Sequence, residues 1–129
     1  MTVLYICSMV KVAKRGYYNV EIIDYYTAGG KNLIANYLDK LPPKEQAEGY
    51  RIRQSIMDDG LLALVILNTR QLKGKLWEIK FANNRIMYVV RDEESIYFLH
   101  ACRKQKNKTE KHELDKAIKR ARICGLKIE

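Results

Sequence analysis

WEIKFANNRIMYVVRDEESIYFLHAC occupies residues 77–102. Trp77, Ile79 and Phe81 alternate with Glu78 and Lys80, the period of two that gives a strand one apolar and one polar face. Asn83 and Asn84 form a turn into Arg85–Arg91, and Asp92, Glu93 and Glu94 form another into Ser95–Cys102. Turns this short join antiparallel neighbours, so the stretch predicts a three-stranded meander. If Trp77, Ile79 and Phe81 pack under helices, Glu78 and Lys80 look outward.

Upstream, Tyr18–Tyr26 carries the β-branched and aromatic residues of one more strand before Thr27, Gly29 and Gly30 interrupt it. Leu33, Ile34, Tyr37, Leu38 and Leu41 then fall at helical spacing, and Pro42 and Pro43 must stop that helix. Pro43 can open the next one, Lys44 to about Met57, because a first-turn proline gives up only an N–H that would lack a helical partner. Asp58, Asp59 and Gly60 end it, and the apolar run Leu61–Leu67 has no decisive period and is read as irregular. Downstream, Leu114, Ala117, Ile118 and Ala121 make one stripe of a last helix, with Thr109 as N-cap and Glu110 and Glu113 suited to its positive end. The order β-α-α-β-β-β-α is a small α+β fold, with helices on one face of a mostly antiparallel sheet.

The 129 residues are one domain's worth of chain, and 47% hydrophobic with 30% charged residues is the composition of an ordinary globule. Net charge is +9, and it is uneven: residues 65–129 hold sixteen basic and eight acidic side chains, residues 1–64 eight and seven. A polyanion is therefore the expected partner of the C-terminal half. Cys7, Cys102 and Cys124 are odd in number and far apart, which argues against a disulfide framework or a zinc site and for a reducing cytoplasm. Val3–Val10 is too short to span a bilayer, and no membrane partner is expected.

Phosphate-loop, serine-hydrolase and zinc-protease motifs are absent from the sequence, so no cofactor or metal is expected. What remains is a set of cations on strands. Arg70, Lys73 and Lys75 lead into the first meander strand, Lys80 and Arg85 sit on neighbouring strands, and Arg103, Lys104, Lys106 and Lys108 leave the last. Such a face suits a phosphodiester. His100, on the last strand, reads as a satisfied structural histidine, Trp77 as core, and Tyr88 and Tyr97 as sheet aromatics able to stack on bases.

The run Leu72-Lys73-Gly74-Lys75-Leu76-Trp77-Glu78-Ile79-Lys80, then Arg85-Ile86-Met87-Tyr88, Phe98-Leu99-His100-Ala101, Lys104-Gln105-Lys106-Asn107-Lys108-Thr109 and Ala117–Arg120, resembles the RelE/HigB superfamily of bacterial type II toxins. The phage-derived HigB-like branch is the nearest, and the resemblance covers roughly Val20 to Gly125. It implies a RelE-like fold as a single domain over 1–129, with 1–19 as an atypical N-terminal extension. It also implies a cytoplasmic toxin that cuts messenger RNA on the ribosome, stops translation and growth, and is silenced by a cognate, HigA-like helix-turn-helix antitoxin.

The chemistry the resemblance implies is metal-free attack of a ribose 2′-OH on the adjacent phosphate, which needs a base, an acid and cations for the phosphorane. Matching positions are Glu78, Lys80, Arg85 and Lys104. Arg85 and Lys104 are expected to clamp the scissile phosphate, Lys80 to act as acid or electrostatic stabiliser, and Glu78 or His112 as base. Arg70, Lys73, Lys75, Arg103, Lys106 and Lys108 are expected to hold flanking RNA. The sequence departs from the family at Cys102, Gln105 and Glu110, and His112 is the titratable residue nearest to where some members carry a last tyrosine. The same scaffold admits a ParE-like inhibitor of DNA gyrase, and the charge alone admits a non-catalytic RNA-binding module.

Overall fold

The computed structural model describes residues 20–104 and 109–129. Its elements are β1 (Glu21–Asp24), α1 (Leu33–Asp39), α2 (Pro43–Asp59), a 3-10 turn (Gly60–Leu62), the single-turn α3 (Ala63–Ile66), β2 (Thr69–Lys73), β3 (Leu76–Phe81), β4 (Asn84–Asp92), β5 (Ser95–Arg103) and α4 (Lys111–Ile123). The sheet order is β1-β5-β4-β3-β2, antiparallel throughout except for β1, which runs parallel to β5.

Local chemistry sets the helix ends. Asn32 caps α1 by accepting from the N–H groups of Ile34 and Ala35 at 3.0 and 2.9 Å. Pro43 opens α2, and Gly60, at φ 72°, closes it in a conformation that favours glycine.

Ile34 and Leu38 of α1 and Ile52 and Ile56 of α2 pack on Ile79, Phe81, Ile86, Tyr88, Ile96 and Phe98 to form one core. A second core lies on the other face, where Ala117 and Ala121 of α4 meet Leu76, Met87, Val89, Leu99 and Cys102. The helices therefore cover both faces of the sheet, against the one-sided arrangement expected. The physical reason is in β4, where Ile86, Met87, Tyr88 and Val89 are all buried, so both faces of that strand need cover. Small residues at 117 and 121 let the helix approach closely.

The meander is present, and β2 extends it by a strand that alternation alone does not reveal. Leu61–Leu67 folds as two short helical turns rather than irregular chain. The expected first strand is regular only over Glu21–Asp24. Residues 1–19, with Val3–Val10, Cys7 and the beginning of that strand, lie outside the described residues, as do Gln105, Lys106, Asn107 and Lys108. Among the described residues no helix is long and apolar enough to cross a membrane.

Candidate functional site

At the end of the sheet where β3 turns into β4, register sets charges side by side on the α4 face. Arg70 pairs across from Glu78, Lys80 from Arg85, and Arg85 from Cys102. Glu78 is fully buried and Arg85 is 2% exposed. Arg70 Nη2 lies 2.9 Å from Glu78 Oε2, and Arg85 Nη1 lies 3.6 Å from Glu78 Oε1. Both arginines also donate to Thr109 Oγ1, at 2.9 Å from Arg70 and 2.6 Å from Arg85, and that hydroxyl donates to Glu78 Oε1 at 3.1 Å. Glu78 thus holds the two guanidinium groups as ion pairs, and the hydrogen bonds that both donate to the Thr109 hydroxyl come from charged donors, the stronger kind.

This corrects two expectations. Glu78 does lie on the face opposite Ile79 and Phe81, but it is enclosed rather than outward, with Thr109, Arg70 and Arg85 against its carboxylate; a ribose hydroxyl cannot reach it in this conformation. Thr109 is not the N-cap: Glu110 takes that position without a side-chain cap bond, and the Thr109 hydroxyl turns into the sheet.

Lys80 is half-buried beside Arg85, and the half-buried Lys104 follows β5, its N–H bonded to the Asn83 carbonyl in the β3–β4 turn. These two and Arg70, whose side chain is 36% exposed, have access to solvent at this end. Lys73 and Lys75 lie at the opposite end of β3, where the Lys75 N–H meets the Ile128 carbonyl. Arg103 points to the other face, 3.7 Å from Glu45 of α2 and beside the buried Asn84. His112 is exposed on the first turn of α4, its Nδ1 3.4 Å from Glu110. Lys106 and Lys108 lie outside the described residues. The expected single basic face is therefore divided: Arg70 and Arg85 meet at Glu78, with Lys80 and Lys104 at the same end of the sheet, while Lys73, Lys75 and Arg103 do not join them.

Tyr88 is buried in the first core, which closes it to bases, whereas Tyr97 stays half-buried with Arg91 over its ring at 5.7 Å. Trp77 packs against the first core, as expected.

Beside the arginine cluster, His100, Cys102 and Glu113 bring their ligand atoms within 4.8 Å of one another, a set that resembles a zinc site. The surrounding donors argue otherwise. Arg120 Nη1 sits 2.9 Å from His100 Nδ1, and since a guanidinium can only donate, that nitrogen must accept and Nε2 must carry the proton, which faces Glu113 Oε1 at 3.1 Å. A metal on Nε2 would drive that proton toward Arg120. Burial pushes the Cys102 thiol up to about 12, with its hydrogen bond to Glu113 adding to the effect. Burial likewise holds His100 below its usual range. For Glu113, burial raises the carboxyl pKa, but hydrogen bonds from Cys102 and His100 and the charges of His100 and Lys116 outweigh it and leave it low. The network is a satisfied structural one, joining α4 to β5, as read for His100.

Thr109 is the member of the cluster that sequence reasoning missed. Its type signalled a cap, and nothing in one chain says that the cation-bearing strands run beneath it. The family model described as "Phage derived protein Gp49-like (DUF891)" matches residues 36–122, from within α1 to within α4. No curated protein matches the chain.

Proposed function

The chain belongs to the Gp49-like family of phage-derived proteins, a toxin-like family of the RelE/HigB type associated with toxin–antitoxin systems, and on that premise we propose that it is the toxin of such a pair and an endoribonuclease that cuts messenger RNA on the ribosome. The observation that carries the reading is the meeting of Arg70 and Arg85 at the Glu78 carboxylate, with Lys80 paired across from Arg85 and Lys104 following β5 at the same end of the sheet. A phosphodiester is the ligand such an excess of positive charge suits.

In this reading Lys80, Lys104 and the exposed part of Arg70 contact the scissile phosphate and stabilise the charge that grows on its oxygens. Arg85 and Glu78 form the buried support behind them. The ribose 2′-oxygen attacks phosphorus, the 5′-oxygen leaves, and a 2′,3′-cyclic phosphate and a 5′-hydroxyl result. With Glu78 enclosed, the base that takes the 2′-OH proton falls to His112, and Lys80 supplies the proton to the leaving oxygen. The partner is a cognate antitoxin, HigA-like in character, whose acidic side chains complement the same cations.

Primer extension on cellular messages after a short pulse of expression tests the reading. New 5′ ends inside translated regions, lost in Lys80→Ala, support it. Growth arrest with intact messages overturns it and moves the weight to gyrase inhibition.

A further inference from the structure

We propose that Thr109 is a positioning residue of this site, one that acts on the phosphate through Arg70 and Arg85; the inference rests on the nuclease reading. Three groups from three strands converge on its hydroxyl: Arg70 of β2 at 2.9 Å, Arg85 of β4 at 2.6 Å and Glu78 of β3 at 3.1 Å. A hydroxyl has one proton and two lone pairs, so the three contacts use all of it: it accepts twice and donates once. A residue that served only to start α4 would spend its side chain on a helix N–H, and Glu110 holds the capping position instead.

The consequence lies in the arginines. Arg70 bridges the buried Glu78 and the solvent, its side chain 36% exposed, so the face it presents to a ligand depends on where its inner Nη2 is held. Glu78 alone offers Nη2 a single carboxylate oxygen at 2.9 Å. Thr109 Oγ1, at the same distance, is the second fixed point and sets the plane of the guanidinium. The same oxygen fixes Arg85 Nη1, which keeps the two like charges at a defined separation around Glu78. A phosphate that must meet several cations at once is sensitive to such placement, since misplacement by an ångström removes on the order of a hundredfold in rate.

Two substitutions separate this role from a purely structural one. Thr109→Val keeps the shape and removes the hydroxyl; Thr109→Ser keeps the hydroxyl and removes a methyl group. Full-length protein is added to a reconstituted translation reaction, and the cleavage rate at saturating protein and the concentration giving half that rate are read separately, with thermal melting alongside. Thr109→Val should slow saturated cleavage about a hundredfold, with half-saturation within about threefold of the original, and Thr109→Ser should restore the rate to within about threefold. Wild-type cleavage by folded Thr109→Val, or equal loss in both variants, overturns the positioning role while leaving the nuclease reading in place. Absence of cleavage by the unsubstituted protein overturns that reading, and the role with it. Should Thr109→Val fail to fold, Thr109→Ser alone decides, because a methyl-dependent role predicts loss there and a hydroxyl-dependent one does not.

Discussion

Arg120 Nη1 lies 2.9 Å from His100 Nδ1 and 3.0 Å from the Leu99 carbonyl oxygen, so a half-buried cation and a buried imidazole share one bond in which only the arginine can donate. Around the ring, burial and the charges of Arg120 and Lys116 oppose a second proton, and Glu113 favours it; the balance keeps His100 below the usual 6.5. The unfolded chain takes up that proton where the folded one refuses it. Stability is therefore complete above about pH 6.5 and falls as pH drops toward the folded value. Urea midpoints should decline from pH 7 to pH 5, and His100→Gln should flatten the decline. Equal slopes in the two proteins would show that another group titrates in this window.

Glu78 is fully buried between two arginines, and removing one partner of such a set leaves charge without compensation. Glu78→Ala should lower unfolding free energy by roughly 3–5 kcal/mol. Adding Arg85→Met should recover part of that loss, because the 2%-exposed cation is then gone as well. Equilibrium urea unfolding of the two single variants and the double variant reads the coupling directly. Simple additivity would mean that Arg85 draws its compensation from elsewhere.

The meander was legible because its period and its turns agree, and α1 and α2 because Pro42 and Pro43 leave few choices for their boundary. The second core was not, although the apolar run Ile86–Val90 carries the signal of a strand covered on both faces. β2 escaped because Thr69–Lys73 is half polar and pairs on one side only. At the site, Lys80 and Arg85 were placed together correctly by the pleat and the short turn between their strands. The fate of Glu78 depended on what lies above it, and Thr109 gains its contacts from strands some thirty residues away. Contacts of that span come from packing, which a linear pattern does not encode.

The division of the basic residues makes a functional contrast. Lys80 stands beside Arg85, whereas Lys75 lies five residues earlier, about 17 Å away at strand spacing. If the site is where the cations gather, Lys80→Ala should slow message cleavage by about a hundredfold, the usual loss for one donor at a developing anion. Lys75→Ala should stay within about threefold, through general attraction to RNA. Primer-extension band intensity over time measures both. Equal losses would place the phosphate along the length of β3 instead.

Gly74 turns β2 into β3 at φ 55°, and a Cβ built there would collide with the Ile128 carbonyl oxygen. That oxygen is occupied, accepting from the Lys75 N–H, and Ile128 itself is buried in the second core. Gly74→Ala therefore meets two penalties at once: a left-handed conformation costly for a side chain, and a backbone atom that cannot turn aside as a flexible side chain would. Relief requires the chain end to lift from the hairpin, which gives up the bond to Lys75 and the burial of Ile128. Destabilisation by roughly 2–4 kcal/mol follows, from strain of about 1–2 kcal/mol and loss of part of an apolar contact. Removing residues 126–129 should by itself destabilise the protein and at the same time make Gly74→Ala milder, since only the conformational penalty then remains. A variant equally damaging with and without those residues would show that the turn, rather than the chain end, requires the glycine.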